Sequence, residues 1–131
     1  MSYNWGPHFI VPSDTLHSFS GTVVLRESFD NQLLDKELEE LGYTGIPYSA
    51  TNPWYFRKRG QETWIKIGES TDRENNFAVQ WDTTKLKNGE YEIFGLMHVT
   101  LRENGNEFVV CKKNNATVHV NNKPRPIKAV Y

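Results

Sequence analysis

The chain has 131 residues, with 15 basic and 16 acidic side chains, a formal net charge of −1, 37% hydrophobic and 24% charged residues. That length fits one domain. The balanced charge argues against holding a phosphate backbone by bulk electrostatics, and the apolar share is too high for a disordered tail. One cysteine, Cys111, excludes an intramolecular disulfide and a cysteine-based zinc site.

No apolar run reaches the roughly 18 residues of a membrane-spanning helix. The opening MSYNWGPHFIVPS lacks the basic and apolar regions of a signal peptide, as expected of a cytosolic protein, a mature fragment or an excised domain.

In chain order, HFIV (8–11) lies between Pro7 and Pro12 and predicts a short edge strand. GTVVLRES (21–28) is rich in β-branched residues and predicts a second. Leu33, Leu34, Leu38 and Leu41 fall near helical spacing and predict one helix over 32–42, with Gly42 as its C-cap. Residues 43–53, YTGIPYSATNP, read as a loop. Strands resume with WYFRKR (54–59), a turn at Gly60, and ETWIKIG (62–68). In NFAVQWD (76–82), Phe77, Val79 and Trp81 alternate with polar or small residues, which predicts one buried face. EYEIFGLMHVTLRE (90–103) is a long strand, NGN (104–106) a hairpin signal, and EFVVCKK (107–113) the returning strand. Asn114 and Asn115 predict a bulge before ATVHVN (116–121), and NKPRPIKAVY reads as a linker.

About seven short strands with one helical insertion predict an all-β antiparallel sandwich of immunoglobulin-like type. The expected organisation is a single domain over 1–122, an insertion at 32–52 between the second and third strands, and a tail at 123–131.

Leu86-Lys87-Asn88-Gly89-Glu90-Tyr91 has the L-x-x-G-x-Y form of a tyrosine corner, whose ring enters the core and whose hydroxyl bonds upstream backbone. It sits in the longer string WDTTKLKNGEY (81–91), which supplies Trp81, Asp82, Thr83, Thr84, Leu86, Asn88, Gly89 and Tyr91. With the opening Pro7–Pro12 segment, Ser20-Gly21-Thr22-Val23-Val24 and Trp64-Ile65-Lys66-Ile67-Gly68, the chain resembles a bacterial-type immunoglobulin-like (Big) domain. Such modules are strung along secreted hydrolases and surface adhesins. The resemblance covers residues 7–31 and 53–121, and residues 32–52 have no counterpart in the usual module. It implies a structural module at an extracellular or cell-surface location, and it transfers no catalytic residue.

Catalytic and metal signals are sparse. Of His8, His17, His98 and His119, only His98 and His119 sit on predicted neighbouring strands, and no carboxylate at ligand spacing joins them. There is no G-x-S-x-G elbow, and Cys111 lies mid-strand, where thiols pack. Asp30, Asp35, Asp72, Glu74 and Asp82 lie near loops without a D-x-D-x-D-G pattern, so a solvated acidic rim is expected rather than calcium. Asn115-Ala116-Thr117 is a glycosylation sequon of a kind that arises often by chance. The expectation is therefore no enzyme, no metal and no cofactor, with neighbouring domains or another protein as partner.

Aromatics carry more information. Trp54 is expected in the core, like the strand-C tryptophan of immunoglobulin domains. Tyr43, Tyr48, Tyr55 and Trp64 are candidate stacking surfaces, which makes a carbohydrate-binding accessory module the second expectation and a phage virion component the third. Alternation from Tyr91 puts Ile93, Gly95, Met97 and Val99 inward and Phe94, Leu96 and His98 outward. Apolar side chains on an outer face mark an interface or a covered surface. The leucine-rich insertion is expected to fold over Phe94 and Leu96.

Overall fold

The computed structural model describes residues 5–6, 8–11 and 18–122, so His17 and the predicted tail at 123–131 lie outside the described residues. Among these, the chain runs β1 (His8–Val11), β2 (Ser18–Phe19), β3 (Thr22–Ser28), α1 (Asn31–Glu40), β4 (Ile46–Lys58), β5 (Ile65–Ser70), β6 (Val79–Asp82), β7 (Gly89–Glu103) and β8 (Asn106–Val120). One sheet has the order β1-β3-β6 and the other β2-β8-β7-β4-β5. These are the A-B-E and G-F-C-C′ arrangements of an immunoglobulin-like sandwich. The pairings are antiparallel, except that β2 lies parallel to the end of β8.

The two sheets are unequal. β7 and β8 each run 15 residues, whereas β6 has four. The short sheet can therefore cover only one half of the long hairpin. Over that half, Leu25, Val79 and Trp81 pack on Trp54, Tyr91, Ile93, Val118 and Val120. Over the other half, Met97, Val99 and Leu101 continue the same inward row, and α1 covers them with Leu34 and Leu38. The expected cover of Phe94 and Leu96 by the insertion is thus incorrect. The helix is needed on the inner face, where the long strands outrun the short sheet.

Local chemistry defines α1. The Asp30 side chain caps its start by accepting from Gln32 N–H at 3.0 Å and Leu33 N–H at 3.2 Å. At its end the Gly42 N–H donates to Glu39 C=O at 3.1 Å and the Tyr43 N–H to Leu38 C=O at 2.8 Å, the paired bonds of a Schellman motif. Leu34 and Leu38, one turn apart, are buried, whereas Leu41 is 61% exposed.

Three local expectations change. Residues 46–53 are strand rather than loop, because β4 pairs with β7 from Ile46 to Lys58. That ladder shifts register between Pro47 and Ser49 and passes over Asn52 and Pro53, as prolines without an N–H require. β6 starts at Val79 rather than at residue 76, because Asn76 and Phe77 take left-handed conformations after the turn at Arg73–Asn75. Finally, β8 runs in unbroken register with β7 from Asn106 to Val120, so Asn114 and Asn115 form no bulge.

The tyrosine corner is present. The Tyr91 hydroxyl donates to the Lys87 carbonyl at 2.8 Å, and Leu86 packs against the adjoining core. Tyr91→Phe is expected to cost about 1 kcal/mol, read as a lower denaturation midpoint with unchanged folded-state spectra. A variant as stable as the parent would count against the corner as a stabilising element.

Candidate functional site

The rest of the W-D-T-T-x-L-x-N-G-x-Y string is occupied with folding. Trp81 is core. Asp82 accepts from the Thr84 N–H at 2.9 Å and hydroxyl at 2.6 Å, which holds its carboxyl below the usual carboxylate range. The Thr83 hydroxyl donates to Gly21 C=O at 2.6 Å, and Asn88 Oδ1 accepts from the Asn122 N–H at 2.7 Å. These bonds tie the corner to β3 and to the end of β8. Of the other acidic residues near loops, Asp30 caps α1 and Asp72 caps the Arg73–Asn75 turn.

The described residues contain no group of three or more His, Cys, Asp or Glu placed to hold a metal ion. His98 pairs with Cys111 and His119 with Glu90, at different heights of the hairpin. Cys111 is exposed rather than packed, since the odd-numbered positions of β8 from Glu107 to His119 are the exposed ones. No helix among the described residues is long and apolar enough to cross a membrane.

The aromatic candidates divide. Tyr55 and Phe94, opposite each other on β4 and β7, stack with centroids 4.9 Å apart. Trp64, just before β5, meets Phe94 edge-on at 4.5 Å. Arg57 lies over the Trp64 ring at 4.3 Å and is held by Glu92 at 3.0 Å. Lys113 sits over Phe94 at 4.5 Å. Leu96, opposite Lys113, is half-buried on the same face. Phe94 is therefore covered by rings and cations of its own sheet and is only 9% exposed. Tyr43 and Tyr48 do not join this cluster. Tyr43 packs on Phe108 at 5.0 Å, and Tyr48 lies under Arg102 at 3.5 Å.

Arg57 and Lys113 belong to the surface but were not among the expected site residues. Their signal was available, since Arg57 follows Tyr55 by two positions along one strand and so shares its face.

A second feature lies inside the sandwich. Glu27 points inward from β3 with its side chain fully buried, and its only side-chain partner among the described residues is Asn52 Nδ2, which donates to Oε1. Among the described residues Glu27 Oε2 and Asn52 Oδ1 have no hydrogen-bond partner. Both side chains lie where the two apolar clusters meet, above Gly95, whose missing Cβ leaves the space the carboxyl occupies. Burial pushes the Glu27 carboxyl up from 4.5 to about 8, against the lowering effect of the Asn52 bond. A proton on the carboxyl removes the charge that burial disfavours.

No protein-family model and no curated protein sequence matches the chain.

Proposed function

We propose that the chain is a non-catalytic immunoglobulin-like module of a larger extracellular or surface protein, serving as spacer, domain stabiliser or protein-interaction unit. Its contact surface is the outer face of the five-stranded sheet. The observation that carries this reading is the cluster of Tyr55, Trp64 and Phe94 with Arg57 and Lys113 on that face. An outer sheet face ordinarily carries polar side chains. Aromatic and arginine side chains together are the composition of protein-contact centres. The Big-domain resemblance of the 81–91 string supports the same reading, because its polar residues are engaged in structural bonds.

Carbohydrate binding is the weaker alternative. Sugar stacking needs an open ring face, and Arg57 lies over Trp64 while Arg102 lies over Tyr48. Titration of the module with its neighbouring domains, alongside a polysaccharide panel, separates the two readings. Trp64→Ala is expected to weaken association with the neighbouring domains at least tenfold, the loss of one contact residue of more than about 1.4 kcal/mol, while preserving the fold. Polysaccharide binding that disappears with Trp64→Ala would replace the proposal with the carbohydrate reading. Domain association unaffected by Trp64→Ala would remove this face from it.

A further inference from the structure

We infer that the outer edge of β8 is a self-association surface, on which a second copy pairs its own β8 antiparallel about a two-fold axis through Val110. This inference does not rest on what binds the outer sheet face, although Lys113 belongs to both surfaces. Among the described residues, that edge carries only the two-residue strand β2, opposite His119 and Val120. The preceding strand, β1, belongs to the other sheet. From Asn106 to Thr117 the described structure therefore places no strand against the edge, and an unpaired edge is a template for strand addition.

The hairpin decides which backbone groups are available. Asn104 and Gly105 both have positive φ, 51° and 82°, as a two-residue type I′ turn requires. The flanking pair Glu103–Asn106 is then hydrogen-bonded, and hydrogen-bonded pairs alternate along the ladder. The N–H and C=O groups of Glu107, Val109, Cys111 and Lys113 consequently point away from β7. These four are also the exposed positions of this stretch.

The side chains select the register. With the axis at Val110, Glu107 falls opposite the second copy's Lys113, and Val109 opposite the second copy's Cys111. By symmetry each pair occurs twice, and all four positions use their outward-facing backbone groups. Moving the axis to Val109 sets Glu107 against Cys111, and moving it to Cys111 sets Val109 against Lys113. Of these three, only the Val110 register matches both charge and apolar character, and it adds Lys113 of the second copy to the Arg102 that already meets Glu107 at 2.9 Å. The apolar surroundings agree with a covered edge. Val109 is 54% exposed. On the other side of the strand, a groove of about 410 Å³ between α1 and β8 is lined by Leu41, Tyr43 and Val110. Leu41 is 61% and Tyr43 43% exposed.

Sedimentation of the whole chain over a concentration series tests the inference, and a dimer is expected. Val109→Pro removes an N–H that faces away from β7, so the fold should persist while the dimer is lost. Glu107→Lys sets like charges opposite each other twice and should weaken the dimer roughly tenfold. Adding Lys113→Glu to it should restore the dimer, which separates pairing from misfolding if the proline variant fails to fold. Val110→Cys in a Cys111→Ser background should cross-link under mild oxidation. The parent should not, because its two Cys111 lie about 9 Å apart in this register. A parent chain that stays monomeric at its highest soluble concentration would overturn the inference. So would a dimer indifferent to Glu107→Lys, or cross-linking through Cys111 but not through Val110→Cys.

Discussion

Glu27→Gln is expected to stabilise the protein at alkaline pH and to remove most of the pH dependence of its stability between about pH 5 and 8. The native carboxyl titrates near 8 against 4.5 when exposed, because it is buried with one amide donor. Below about 4.5 both states hold the proton and the native state is at its most stable. Between the two values only the native state holds it, so stability falls as pH rises, by about 1.4 kcal/mol per pH unit and a few kcal/mol in total. Glutamine has nearly the shape of the protonated acid, keeps the acceptor for Asn52 Nδ2 and carries no charge at any pH. Variant and parent should therefore denature alike near pH 4.5 and diverge steadily above it, with the parent weaker. Denaturant midpoints measured across that range decide the matter. A parent whose stability is flat or rising from about pH 5 to 8, relative to Glu27→Gln, would show that the buried carboxyl does not govern it.

Leu34→Ala and Leu38→Ala are each expected to cost about 3 kcal/mol. Both side chains are almost fully buried against Met97, Val99 and Leu101. Replacing residues 31–41 with a short Gly-Ser linker should expose that row and produce dye binding or self-association. The location of the damage is informative. The Tyr55–Trp64–Phe94 cluster lies on the face of the sheet opposite α1, so the near-ultraviolet signal of Trp64 should persist in the two leucine variants. Stability within about 0.5 kcal/mol of the parent in both variants would mean that the helix does not cover the inner face.

Alternation and turn chemistry were legible from local residues. Val79 and Trp81 predicted a buried row, which Phe77 does not join because it turns left-handed before β6, and Asn104-Gly105 predicted the hairpin. The L-x-x-G-x-Y string predicted a corner whose hydroxyl reaches Lys87. Each depends on neighbours within a few residues, where backbone sterics and period-two geometry suffice. The Tyr55–Phe94 stack was half legible, because parity placed both rings outward, but only the β4–β7 register set them opposite each other.

The tertiary structure decided the rest. The leucines of 33–41 predicted a helix with an apolar face, but the surface it covers depends on the sheets' unequal lengths. β7 and β8 outrun β6, and the uncovered inner row draws α1 to that side. Glu27 sits in phase with Val23, Leu25 and Phe29, so its inward direction was readable. The room for a carboxyl there was not, because Gly95 and Asn52 come from strands far along the chain. Long-range register brings these three residues together, and no local pattern encodes it.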